Sequence, residues 1–338
     1  MTGRITGQLA LAPARDPAHT GRVTRQALII DCDPGVDDAV ALMLAFGADE
    51  FELLAVTTVG GNVPVEKTAR NARMLRQVAG LQKPGHDEAP VFMGAAQPLV
   101  RTLGTATDFH GPEGTGDLEP FEPDLPCADG HAADAIVDLV MSRPAKSVAM
   151  AVLGPMTNLA LALRKEPALA ERLGPVAVMG GARAEGGNIT ASAEFNIWAD
   201  PEAAAEVLAT GAEVVLFGLD ATHQVRATED RIAAVEALGT PMAKTAGAML
   251  RFSQRVERTI VGWDASPLHD PCPVAWLLKP ELFELKPCLV KVETESDLTR
   301  GHTAVEFRQA VAGEPLKHRW AVTADADGVF ALIARSCG

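Results

Sequence analysis

The run Ala27-Leu28-Ile29-Ile30-Asp31-Cys32-Asp33-Pro34-Gly35-Val36-Asp37-Asp38-Ala39-Val40-Ala41-Leu42 constrains this chain more than any other. Four carboxylates fall within eight residues, between an apolar strand pattern and an apolar helix pattern. Like charges this close repel and raise one another's pKa values unless a cation or hydrogen-bond donors compensate. A hard divalent cation with oxygen ligands is the simplest compensation. The segment therefore predicts a metal site at the end of the first strand. Asp33 falls in the turn, while Asp37 and Asp38 open the helix. Adjacent helix residues point in different directions, so these two are expected to divide their roles, one towards the ion and one towards a ligand. A solvated acidic helix start explains a lone Asp well. It explains D-C-D-P-G-V-D-D behind a buried strand poorly.

Strand and helix patterns alternate along the rest of the chain. Apolar, β-rich runs lie at 27–31, 52–58, 147–153, 175–179, 213–218 and 288–293. Alanine-rich amphipathic runs at 36–47, 64–79, 131–142, 156–164, 201–210 and 229–237 predict helices. This alternation predicts an α/β fold with a mainly parallel central sheet flanked by helices. The near-continuous apolar strands suit burial on both faces. Residues 27–338 read as one domain, and residues 1–26, which lack periodicity, as a mobile N-terminal tail. The stretch 101–130 is rich in Gly, Pro and acids and reads as a long surface excursion, a kind of loop that is often functional.

Composition narrows the partners. A net charge of −14 argues against a nucleic acid polymer, whose phosphates call for a basic face. The five cysteines form no CxxC pair, which predicts reduced thiols in a cytoplasmic protein and no cysteine zinc site. No apolar run reaches the ~18 residues of a membrane span, and the stretch 8–13 is too short for a signal peptide.

Polar residues gather just past the strands. Asp33, Asp37 and Asp38 follow the first. Gly60, Gly61 and Asn62 follow the second. Gly154, Thr157 and Asn158 follow 147–153, and Gly180, Gly181, Asn188, Glu194 and Asn196 follow 175–179. Open α/β sheets bind ligands outside the carboxyl ends of their strands, so these groups are expected to share one edge. The amides and carboxylate of 188–196 suit several sugar hydroxyls, since Asn donates and accepts and Glu accepts. They also suit an ordinary polar turn. Downstream, Ser266-Pro267-Leu268-His269-Asp270-Pro271-Cys272 sets a His-Asp pair between prolines that fix the backbone. His269 is a candidate acid and Asp270 a candidate metal ligand, although Asp270 also suits a helix cap ahead of Pro271. His110, on the long loop, is a candidate or a bystander.

D-C-D-P-G-V-D-D-A, T-T-V-G-G-N, L-G-P-M-T-N-L-A, V-M-G-G, A-E-F-N-I-W-A-D-P-E-A-A and L-H-D-P-C occur in that order. With this set the chain resembles the nucleoside hydrolases, the inosine–uridine-preferring and related ribohydrolases, over roughly residues 27–335. The resemblance implies a calcium-dependent N-glycosidase of nucleoside salvage that splits base from ribose with water as nucleophile. It implies that Asp33, Asp38, Asp270 and the Leu153 main-chain carbonyl are calcium ligands, and that Asp33 is also the general base. Asp37, Asn62, Asn188, Glu194, Asn196 and Asp270 would bind ribose, Met179 would line the pocket, and His269 and His110 would stand near the leaving base. A homodimer or homotetramer is implied as well. Glycosidic cleavage passes through an oxocarbenium-like state, which surrounding carboxylates stabilise.

Two departures stand out. Some relatives carry Thr at the position of Leu153, a change that spares a main-chain ligand. Others place tyrosines over the base, and this chain has no tyrosine. That role falls to His269, His110 or Trp263, or goes unfilled. The run S-P-L-H-D-P-C-P-V-A-W-L-L-K-P-E-L-F looks closest to the pyrimidine-preferring branch, which implies uridine and cytidine as substrates. Three other readings compete: an aspartyl-nucleophile phosphatase using Asp31, a non-catalytic calcium-dependent sugar- or nucleoside-binding module, and a hydrolase of a modified nucleoside.

Overall fold

The computed structural model describes residues 25–85 and 87–338. Among these described residues the eleven strands are β1 (Gln26–Cys32), β2 (Phe51–Thr58), β3 (Val91–Met93), β4 (Val148–Val152), β5 (Val176–Met179), β6 (Val214–Phe217), β7 (Arg226–Ala227), β8 (Ser266–Pro267), β9 (Phe283–Val292), β10 (Thr303–Glu306) and β11 (His318–Ala324). Nine form one sheet in the order β10-β9-β11-β6-β5-β4-β1-β2-β3. From β3 to β11 all neighbours pair in parallel, and β9 runs antiparallel to β11 and β10. The short β7 and β8 pair separately.

Strand order reverses between β1 and β4. The chain steps one way through β1, β2 and β3, then returns to β4 and steps the other way to β6. At such a switch point the connections leave in opposite directions and open a crevice at the carboxyl edge. Alternation along β1 sends Leu28, Ile30 and Cys32 into one fully buried cluster and Ile29 into the other, so the sheet is covered on both faces.

Five of the six sequence-predicted strands match to within a residue or two at each end. The last, 288–293, is corrected to Phe283–Val292. Gln26 belongs to β1 and pairs with Phe51, so the boundary drawn at residue 26 lies inside the sheet. Residues 1–24 of the expected tail lie outside the described residues. All six predicted helices form, with ends shifted by up to three residues. Sequence reading omitted the helices Pro241–Ile260, Pro271–Leu278 and Ala326–Cys337 and the strands β3, β10 and β11. The 101–130 excursion is more integrated than predicted: it carries a short helix, Thr107–His110, and buries Ala106, Gly111, Gly114 and Thr115. Asn71 ties this excursion down through Nδ2, which donates to the Pro34 and Glu113 carbonyls at 3.1 and 2.8 Å.

Candidate active site

The turn after β1 is organised by Asp38. Its Oδ2 accepts from the Gly35 amide at 3.0 Å and from Asn62 Nδ2 at 3.1 Å, and its Oδ1 accepts from the Asp33 amide at 3.2 Å. A carboxylate reaching back from the first helical turn satisfies amides that have no helical partner. Asp38 thus points into the turn and Asp37 into the cavity, the division that adjacent helix positions impose.

Asp33 is 1% exposed. Its Oδ2 accepts from the Asn62 amide at 2.7 Å, and its buried Oδ1 has no protein partner. Two glycines leave room for this carboxylate. A Cβ at Gly61 would lie 2.1 Å from Oδ2, and one at Gly154 would lie 2.5 Å from Oδ1. Ligand oxygens of Asp37, Asp38 and Asp270 come within 4.8 Å of one another. Asp33 adjoins this trio, whereas sequence reading had grouped Asp33 with Asp38 and Asp270 and given Asp37 to ribose. The Asp38 and Asp270 carboxyls lie within 4.8 Å of each other, a proximity that a shared proton or a cation relieves. Asp270 precedes the helix Pro271–Leu278 without capping it, so its carboxylate is free for this site. Burial raises Asp33, Asp38 and Asp270 above the usual carboxylate range, Asp38 to about 7, and mutual repulsion adds to the rise.

Above the cluster opens a cavity of about 320 Å³ lined by Asp37, Asn62, His110, Leu153, Met179, Asn188, Glu194, Asn196, His269 and Asp270, among others. These are ten of the twelve residues that sequence analysis selected; Asp33 and Asp38 lie behind the lining. Asn196 Nδ2 donates to the Leu153 carbonyl at 2.6 Å and to the Met179 carbonyl at 3.2 Å, joining the ends of β4 and β5. Glu194 caps the helix Phe195–Ala199. Its carboxylate accepts from the amides of Asn196, Ile197 and Gly181 at 2.8, 3.2 and 3.0 Å. Burial still pushes Glu194 up to about 7. Asn188 Oδ1 accepts from the Phe195 amide at 2.9 Å.

Burial disfavours the charged form of both His110 and His269. His110 Nδ1 accepts from the Val36 amide at 3.1 Å, so its single proton sits on Nε2 and its 3.9 Å approach to Asp37 is not an ion pair. Burial lowers its pKa, and Asp37 opposes this. His269 Nδ1 lies 2.8 Å from Thr222 Oγ1, and burial pushes this ring down to about 4 against the pull of Asp37. Sequence analysis made His269 a candidate acid on histidine's ordinary pKa, and burial works against that role.

Sequence reading missed several lining residues: Glu185, His223, Ser253 and Glu257. His223 Nδ1 is 3.0 Å from Glu185 Oε2, and its ring meets Trp263 edge-on at 5.2 Å. Arg226 lies 4.0 Å over the Trp263 ring. Of these four, only His223 carried a usable signal, since it follows the predicted strand 213–218 at the same sheet edge. Asp31 is absent from the lining and fully buried, with Oδ1 accepting from Thr57 Oγ1 at 2.6 Å and Asn158 Nδ2 at 2.8 Å. Such a group supports the strand ends and is ill placed to attack a phosphate.

A doubly covered sheet with buried carboxylates at its switch point and an amide-lined cavity above them defines an open α/β protein with a site suited to a polyhydroxylated ligand. Comparison with known proteins narrows the class. The model of the inosine-uridine preferring nucleoside hydrolase family matches residues 28–331. The chain is 39% identical to the inosine-uridine preferring nucleoside hydrolase of Crithidia fasciculata over 282 residues, 83% of this chain and 88% of that protein. It is 38% identical to the pyrimidine-specific ribonucleoside hydrolase RihA of Salmonella gallinarum over 308 residues, 91% and 96% of the two chains. Among solved structures, the purine-preferring ribonucleoside hydrolase from Gardnerella vaginalis superposes with a TM-score of 0.84 at 31% identity, covering 92% of this chain and 98% of that one. The chain belongs to the nucleoside hydrolase family, enzymes that hydrolyse the N-glycosidic bond of ribonucleosides.

Proposed function

We propose that the protein is a calcium-dependent ribonucleoside hydrolase that prefers pyrimidine nucleosides and releases free base and ribose. The observation that carries this reading is the buried carboxylate cluster beneath an amide-lined cavity, with Asp33 Oδ1 left without a protein partner. The donors fit a hard cation: Asp33, Asp38 and Asp270 carboxylates and the Leu153 carbonyl are all oxygen, the ligand type calcium takes six to eight of. A bound cation supplies the positive charge that offsets the carboxylates, acidifies a water and orients ribose hydroxyls.

The chain's own residues do the rest. Asp33, held by the Asn62 amide, takes a proton from the attacking water. Asp37, Asn62, Asn188, Glu194, Asn196 and Asp270 bind the ribose hydroxyls. The Asn188 and Asn196 amides each have one end fixed by the protein, which leaves the other for ligand. Met179 packs beside the sugar. As C1′ gains positive charge in the transition state, the surrounding carboxylates stabilise it. His110 and His269 offer N–H groups to the base as hydrogen-bond donors.

The pyrimidine preference draws on the relatives' names. One is called pyrimidine-specific and another inosine-uridine preferring, and uridine fits both. The Gardnerella enzyme, called purine-preferring, marks the contrary outcome. The reading extends to a cytoplasmic homo-oligomer, dimer or tetramer, acting in nucleoside salvage. All five cysteines are free, and among the described residues no helix is long and apolar enough to cross a membrane. A reducing-sugar assay over a nucleoside panel, with and without chelator, tests the whole. Uridine and cytidine should exceed inosine in kcat/KM, and calcium should restore the chelated enzyme. A purine preference overturns the base assignment, and chelator-resistant turnover overturns the metal.

A further inference from the structure

Strand β6 ends at Phe217, and the chain turns at once into the short helix Leu219–Thr222. Thr222 closes that helix. It is fully buried and stands behind the cavity lining rather than in it. Its Oγ1 lies 2.8 Å from His269 Nδ1, and among the described residues this ring nitrogen is the hydroxyl's sole partner. The Thr222 amide donates to the Gly218 carbonyl and its carbonyl accepts from the Val225 amide, so the backbone of the turn is already paired. Val225 in the same turn accepts from the Leu268 amide at 2.8 Å, which holds the backbone beside His269 as well. His223, next in the chain, sets its ring 5.8 Å from that of His269.

A hydroxyl carries a hydrogen, and burying that hydrogen without an acceptor is costly. With Nδ1 as its partner, the Thr222 O–H donates to Nδ1. An imidazole that accepts at Nδ1 carries its proton on Nε2. His269 lines the cavity and Thr222 does not, so Nε2–H is the end of the ring left for a ligand.

We propose that Thr222 is a positioning residue for departure of the base: its hydroxyl locks His269 in the tautomer and orientation that present Nε2–H to the leaving group. The proposal rests on the ribohydrolase reading above. As the C1′–N bond breaks, its electron pair stays on the base, and negative charge builds on the ring nitrogens and carbonyl oxygens. An N–H already fixed towards those atoms stabilises the charge with no reorganisation at the moment of reaction. Released from Thr222, the ring is free to turn or to carry its proton on Nδ1, and either change takes the donor away from the base. Thr222 touches no substrate and acts through His269.

The test separates this role from simple packing. Thr222→Val keeps the shape of the side chain and removes the hydroxyl, whereas Thr222→Ser keeps the hydroxyl. Two leaving groups are compared. The base of uridine needs a donor, whereas 4-nitrophenyl β-D-riboside releases a stable phenolate that does not. Thr222→Val should lower kcat for uridine by about 10–100-fold, the scale seen for partners that orient ligating imidazoles. Hydrolysis of the aryl riboside should be nearly unchanged, which also shows that the variant is folded. Thr222→Ser should restore uridine turnover. Heteronuclear NMR of the His269 ring nitrogens should place the wild-type proton on Nε2 and show the Nδ1–H form in Thr222→Val. Equal losses for both substrates, no loss for either, or a loss in Thr222→Ser as large as in Thr222→Val overturns the assignment. A wild-type ring protonated at Nδ1 overturns it too. A wild-type enzyme that cleaves neither riboside overturns the ribohydrolase reading itself, while the NMR result still decides whether Thr222 sets the tautomer.

Discussion

The acidic floor of the cavity hangs from strand ends, whereas much of the remaining lining comes from a helix and two loops. On the floor, Asp33, Asn62, Leu153 and Asn196 are bonded to one another's backbones, so each is fixed by the sheet. The rest of the lining is held by side-chain contacts such as His223 with Glu185 and Trp263 with Arg226. A geometry set by the sheet suits the invariant half of a substrate, the sugar. A lining set by side chains suits the half that varies, the base. Mutations on the floor should therefore abolish turnover, and mutations in the base lining should mainly alter selectivity.

The sharpest break would come from Asp33→Asn. Loss of the proton acceptor should lower kcat by about 10²–10⁴-fold for every nucleoside alike. The fold should persist by circular dichroism, because the amide is isosteric and removes a buried charge. Loss confined to some bases would contradict the floor's common role.

A second test uses pH on the metal-stripped protein. Burial raises Asp31 from an ordinary 3.8 to about 7, and Glu194 from 4.5 to about 7. The folded state therefore keeps protons that the unfolded chain has lost. Stability from these groups is complete below about pH 4 and disappears as pH rises through 7. The melting temperature of the stripped protein should fall from pH 5 to pH 8, by an amount corresponding to a few kcal/mol on an order-of-magnitude basis. Added calcium at 100 times its Kd should return about 2.7 kcal/mol. A melting temperature that is flat or rising over that range would mean the cluster is solvated and the floor is not rigid.

Gly61→Ala is a purely steric probe. Its backbone conformation suits alanine, but the new Cβ meets Asp33 Oδ2 at 2.1 Å and Cγ at 2.8 Å. Asp33 must shift, and a displacement near 1 Å costs on the order of 10²-fold in rate. Unchanged kcat with normal calcium affinity would show that Asp33 tolerates displacement.

The same contrast explains what was legible in the sequence. Strands β4, β5 and β6 are continuous apolar runs and β1 and β2 carry long apolar stretches, with polar residues following closely, so the floor could be read directly. Strand β11 escaped because His318, Arg319 and Thr323 interrupt its pattern near the sheet's antiparallel edge. The base lining escaped for a different reason. Glu257 and Ser253 sit on an amphipathic helix among Arg251, Arg255 and Arg258, and look like any solvated face. Only the packing of that helix against Val36–Gly47 brings them to the cavity. Asp37 and Asp38 lie between these cases: their adjacency predicted a division of roles, but the hydrogen bonds to Gly35 and Asn62 were needed to show which turns inward.

The smallest effect expected is at Glu185, whose side chain is 46% exposed where it meets His223. Exposed pairs of this kind contribute roughly 0–1 kcal/mol. The loop does not depend on the pair, because Asp220 accepts from the Arg183 and Ala184 amides at 2.8 Å each. Glu185→Ala should therefore raise KM by no more than about five-fold, with kcat nearly unchanged. His223 loses its partner in that variant, so the order of preferred bases should shift before the rate does. A fall in kcat as large as that of Gly61→Ala would mean that the base lining is as tightly coupled to the chemistry as the floor, and the division between the two halves of the cavity would fail.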